Sequence, residues 1–248
     1  MKSKSRLRAV LAGALPLFLL TVSACSVPDM QVSQSFAEKA TVLPVEGRPL
    51  VRMSIGKEKG FQFGQYQLRD IQRGWTRKTE PDAFWLKVSD AYQKYTFAVK
   101  DTARQKTWPV QAAALHSSTA LEAEGLSISL DKQREFLQAE FTSPESGVWQ
   151  LALADPGTYI ERVHFKGSLA NGKEEIEVRP LYKWQSKSLP SSTNLGYEFS
   201  VNGEVLATVQ TVNSGKVWLK QGLSPDLQMV LASASGSLLL YDKLGEEK

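Results

Sequence analysis

Three side chains could do covalent or acid–base chemistry near neutral pH: Cys25, the single cysteine, and the two histidines, His116 and His164. Neither histidine sits in an H-E-x-x-H pattern, and one cysteine cannot assemble a Cys/His zinc set. No serine lies in a G-x-S-x-G elbow, so a triad around His116 or His164 has no motif behind it. P-loop and G-x-G-x-x-G patterns are missing, and the carboxylates are scattered with no spacing that singles out a pair. The expectation is a chain with no catalytic residue, no metal site and no cofactor.

Cys25 has a setting of its own. Lys2, Lys4, Arg6 and Arg8 precede an apolar run over residues 9–22, followed by small residues, which is the layout of a secretory signal. The run is shorter than the roughly 20 apolar residues of a spanning helix, which argues against an uncleaved anchor. Val22-Ser23-Ala24-Cys25 resembles the lipobox of bacterial lipoproteins. That resemblance implies a signal peptide over 1–24, a diacylglycerol on the Cys25 thiol, a palmitate-labelled product and a protein tied to a membrane by lipid. Ser26, where an inner-membrane retention signal would have Asp, implies the periplasmic face of the outer membrane.

The net charge of +4 points, at first sight, to nucleic acid or an anionic surface. Four of the 30 basic residues and none of the 26 acidic ones precede Cys25, however, so the mature chain is formally neutral. No nucleic-acid partner is expected. With Cys25 consumed by lipid there is no disulfide, and the domain must hold together through its core.

Residues 25–45 carry Pro28 and Pro44 among small and polar residues and read as a lipidated cysteine with a flexible tether, leaving one β-rich domain over 46–248. Val51-Arg52-Met53-Ser54-Ile55 alternates as a strand does. Residues 61–71 alternate too, but the phase slips near Gly64, where a bulge is expected. Further strands are expected over 95–99, from Trp108, over 126–130, 136–141 and 148–153, the last two parted by a turn at 143–147. Residues 163–169 should meet 175–178 across Ala170-Asn171-Gly172-Lys173. Residues 197–201 should meet 204–209 across Asn202-Gly203, the turn chemistry that favours positive φ. Asn213-Ser214-Gly215 leads into a strand over 216–220. The spacing is that of an antiparallel barrel or, as the alternative, a β-sandwich.

At the C-terminus Ser224 can cap a helix, Pro225 suits its first turn and Asp226 complements its dipole. Residues 227–241 hold no charge and should be buried on every side, as a helix or as two strands turned at Gly236. The order YEFSVNGEVLATVQ, KVWL, then LSPDLQMVLASASGSLLL is similar to the tail of the tubby-like C-terminal superfamily, with the phospholipid scramblases and LURP-one-related proteins. Over residues 195–241 that resemblance implies a closed barrel of about twelve strands around a central apolar helix. It carries over no functional residue.

Arg69, Arg73, Arg77 and Lys78 surround Trp75 and form a local basic run. It reads either as a contact for an anion, headgroup or polysaccharide, or as a solvated strand edge kept from pairing by its charges. Phe84, Trp85, Tyr92, Tyr95 and Phe97 read as a platform for protein or glycan, or as β core. The functional expectation is a non-enzymatic binding or scaffold module of the cell envelope. Its partners would be the membrane, through lipid on Cys25, and an envelope protein. The alternative is a lipid- or envelope-polymer-binding protein that uses the barrel's rim or interior.

Overall fold

The structure, a computed structural model, describes residues 28–49, 56–76, 92–117, 121–123, 126–128, 134–155 and 167–241. Strands are β1 (Ala40–Glu46), β2 (Gly56–Glu58), β3 (Phe61–Phe63), β4 (Tyr66–Thr76), β5 (Tyr92–Asp101), β6 (Lys106–Ser117), β7 (Leu121–Ala123) and β8 (Leu126–Ile128). They continue as β9 (Arg134–Ser143), β10 (Gly147–Asp155), β11 (Gly167–Ala170), β12 (Glu175–Leu181), β13 (Gly196–Val201), β14 (Glu204–Gln210) and β15 (Lys216–Lys220). The helices are α1 (Gln34–Ala37) and α2 (Pro225–Leu240).

Twelve strands close into an antiparallel ring in the order β4-β3-β1-β15-β14-β13-β12-β11-β10-β9-β6-β5, and β5 returns to β4. β2 extends the place of β3 along the same edge of β4, while β7 and β8 form a separate two-stranded hairpin. The closed ring, not the sandwich, is the architecture. Closure leaves the ring itself without a free edge for another chain to extend.

Inside the ring lies α2. It starts as the sequence expects: Ser224 Oγ accepts from Leu227 N at 3.2 Å, and Pro225 and Asp226 fill the first turn. All twelve residues from Met229 to Leu240 are buried, with no polar face, which only a helix enclosed on every side tolerates. Two strands turned at Gly236 are therefore ruled out. Gly236 lies close against the wall, where a Cβ would be 3.0 Å from Leu68 and 3.1 Å from Phe97.

The wall alternates as the core demands. Tyr95, Phe97 and Val99 point in, whereas Lys94, Thr96 and Lys100 between them are partly exposed. The outward set also includes Gln67, Gln72, Gln111, Glu140, Gln150 and Glu177, a polar exterior opposite to that of a barrel spanning lipid. Among the described residues no helix is long and apolar enough to cross a membrane.

Three expectations change. The phase slip at Gly64 is a hairpin turn, not a bulge: Phe63 pairs with Tyr66 and Gly64 takes a φ of +55°. The bulge comes later, where the β4–β5 register jumps between Arg69 and Gln72 around Asp70, at a φ of +53°. The tether expected through residue 45 also gives way, since Ala40–Glu46 is a wall strand between β15 and β3. Residues 29–39 climb the outside of the ring, where Met30 and Phe36 join Leu195 and Trp218 in a second, smaller core. The strands expected over 51–55 and at 163–166 lie outside the described residues.

Candidate functional site

The ring has two ends. At the mouth, where α2 begins, the turns β3–β4, β5–β6, β9–β10, β11–β12 and β13–β14 cluster around Ser224. At the floor, where α2 ends, lie the start of β13 and the ends of β4, β12 and β14.

The mouth is a built polar structure. Ser143 and Ser146 of the β9–β10 turn donate their hydroxyls to the two oxygens of Asp226, at 2.5 and 2.7 Å. Ser143 Oγ accepts from the Glu145 and Ser146 amides at 2.9 and 3.0 Å, and Ser146 Oγ accepts from Trp149 Nε1 at 2.7 Å. Asp226 thus faces the positive helix start while locking the turn to it. Asn171 Nδ2 donates to the Ser146 carbonyl at 3.0 Å and joins the next hairpin to the same network.

Beside this lock opens a cavity of about 450 Å³. Ile176, Val201, Leu206, Leu227 and Trp149 line it with apolar atoms, and Glu145, Glu174, Glu175 and Asp226 add carboxylates. Lys106 pairs with Glu145 at 2.9 Å. Glu174 and Glu175 are exposed and have no ion pair among the described residues. Nothing here resembles a nucleophile–base pair. The chemistry on offer is apolar contact below and negative charge above.

Elsewhere on the mouth, Asp101 is 2% exposed and accepts from the Ala103 and Arg104 amides at 2.9 and 3.1 Å, as well as from the Arg104 guanidinium at 2.7 Å. Tyr66 bridges the wall to the helix through Gln228 Oε1 at 3.2 Å. Burial raises the Tyr66 phenol above its ordinary pKa, and the Asp101 charge adds to the rise. These groups order the turn and hold the helix start.

Of the basic run, Arg69 and Arg73 do not come together. Arg69 is exposed on the outer wall, beside a shallow surface cavity lined by Glu46, Gln62 and Gln67. Arg73 lies on the opposite face, 4% exposed, because the extra residue at the Asp70 bulge reverses the phase of β4. Inside, it pairs with Glu58, donates to the Leu240 carbonyl and lies 5.2 Å from the Tyr95 ring centre. It caps the negative end of α2, which is a structural duty rather than an anion site on the surface. Trp75 belongs to β4, opposite Gln93. Arg77 and Lys78 lie outside the described residues, as do Cys25, His164, Phe84 and Trp85.

His116 lies on β6 opposite Glu135. Tyr95 and Phe97 are core residues, which answers for them the choice between platform and packing. Among the described residues, no group of three or more His, Cys, Asp or Glu is placed to hold a metal ion. The sequence reading missed the mouth entirely. Its one visible trace was Ser143 and Ser146 in a strong turn, with Asp226 four residues after Gly222.

Comparison with known proteins finds no matching family model, no matching curated protein and no matching solved structure.

Proposed function

We propose that this chain is a lipid-anchored, non-enzymatic binding module of the bacterial cell envelope, and that the mouth is its docking surface. The observation that carries the reading is the mouth cavity, apolar below and edged by Glu174 and Glu175. A basic segment of an envelope protein, with one apolar side chain for the cavity lining of Ile176, Leu206 and Leu227, complements both features. Cys25 in its lipobox-like setting supplies the anchor, with the periplasmic face of the outer membrane as the place. The ring of twelve strands around an apolar C-terminal helix supports a further proposal, that the chain belongs to the tubby-like superfamily.

The alternative, a ligand held inside the barrel, loses ground because α2 fills the interior. A basic rim loses ground because Arg73 is occupied within the wall.

The test is in-cell photo-crosslinking of the lipidated protein from position 174 and, as control, from the outer-wall position Gln111. The expected result is one stoichiometric envelope protein captured from 174 alone. With the crosslinking residue kept at 174, Glu175→Lys should abolish capture and leave the melting temperature unchanged, its side chain being exposed. Equal capture from both positions, or capture that survives the charge reversal, would overturn the reading of the mouth. Loss of a palmitate-analogue label in Cys25→Ala tests the anchor separately.

A further inference from the structure

The first described residues are clipped to the floor of the barrel. Gln185 N donates to the Asp29 carbonyl at 2.9 Å, and Gln31 N donates to the Lys183 carbonyl at 2.7 Å. Met30 between them bridges to Trp184, is fully buried, and donates its amide to Gln210 Oε1 at 2.8 Å. The Asp29 carboxylate takes the Lys216 ammonium and Gln210 Nε2. Asp29 is four residues beyond Cys25. An extended chain covers at most about 3.6 Å per residue, so a lipid on Cys25 enters its bilayer within about 15 Å of this clip.

The loop that makes the clip, residues 182–190, has the composition of a membrane interface: Tyr182, Lys183, Trp184, Lys187 and Leu189, without an acidic residue. Leu189 is 78% exposed, against 46% for Val42 and Val148, the other exposed large apolar side chains among the described residues. Lys183 and Lys187 are exposed, and the Lys187 ammonium stands 5.6 Å from the Trp184 ring centre. Tryptophan and tyrosine favour headgroup depth, lysines reach for lipid phosphates, and an exposed leucine gains by leaving water.

We propose that the 182–190 loop is a second membrane contact, seated in the bilayer that holds the chain's own anchor. Leu189 enters the acyl boundary, Trp184 lies at headgroup level, and Lys183 and Lys187 meet anionic phosphates. The proposal rests on the reading of Cys25 as lipidated. Its consequence is orientation. The floor faces the membrane, and the mouth points away across the length of α2, 16 residues or about 24 Å.

Because Cys25 is the single cysteine and its sulfur is spent on lipid, Leu189→Cys can be labelled alone in the mature lipidated protein. An environment-sensitive dye there, on vesicles of phosphatidylethanolamine and phosphatidylglycerol, should shift to the blue. It should also be quenched by lipids spin-labelled near the headgroup. The same dye at Lys173→Cys, in the β11–β12 turn of the mouth, should behave as in water, and Lys183→Glu with Lys187→Glu should weaken the quenching at 189. Intact mass reports the lipid independently. A lipidated protein whose 189 dye reads like its 173 dye would overturn the loop contact and leave the anchor standing. A mass without lipid would overturn both.

Discussion

The Arg73 guanidinium donates to the main-chain carbonyl of Leu240, so that a wall strand holds the last turn of the central helix. The same side chain pairs with Glu58, whose side chain is 4% exposed. Removing one member of a buried pair leaves the other charge without compensation, at about 3–5 kcal/mol, whereas replacing both with apolar groups is often neutral. Arg73→Met should therefore lower stability by that amount. Arg73→Met with Glu58→Leu should recover most of it, short of the lost helix cap. Urea unfolding of Arg73→Met, Glu58→Leu and the double variant measures the coupling, and additive losses would mean that the pair is incidental.

Leu231 is fully buried in the helix and belongs to the main core. Leu231→Ala should cost about 2–5 kcal/mol, the usual range for a truncated core leucine. Leu231→Asp should prevent folding, because it would place a charge in the hydrophobic core. Thermal unfolding followed by near-ultraviolet circular dichroism separates these outcomes, and an unchanged melting temperature would contradict an enclosed helix.

What the sequence disclosed, and what it hid, follows from the range of the forces involved. Asn202-Gly203 and Ser224-Pro225-Asp226 act within a few residues, so the hairpin and the helix start were legible. The apolar run over 227–241 announced burial without saying what would surround it, and the ring supplies the answer. Asp70 gave no warning, because aspartate visits positive φ often enough to be unremarked in a polar strand. Yet that one residue decides that Arg73 faces the helix and Arg69 the solvent. The outer strap was hidden for another reason: Met30 and Phe36 show no period, and they are buried by Trp218 and Leu195, far along the chain.

Glu198 offers a pH test. Burial on the wall raises its carboxyl above the ordinary value, while Arg179 lowers it by less and Glu177 adds to the rise. The folded chain therefore holds this proton more tightly than the unfolded chain does. Its contribution to stability is present below the unfolded pKa and lost as pH rises through the folded one. Glu198→Gln should be more stable than the parent at pH 7 and equal to it about a unit below the ordinary carboxylate value. Melting temperatures at the two pH values decide, and a variant less stable at pH 7 would mean that the Arg179 attraction outweighs burial.

Met30 tests the strap. Its side chain is fully buried, and the next amide, Gln31 N, is bonded to Lys183 on the floor loop. Hydrogen exchange in the parent should protect Gln31, whereas a flexible tether would exchange it at the unprotected rate. Met30→Ala should cost about 2–5 kcal/mol, and the loss should stay local. Gln31 should lose protection and Trp218 should gain exposure. The Val209 amide on β14, whose side chain belongs to the main core, should keep its protection, because β1 remains held between β15 and β3. With the clip open, the span between Cys25 and the barrel would grow from four residues to about fifteen. The floor loop would then lose its enforced nearness to the membrane while the fold persisted.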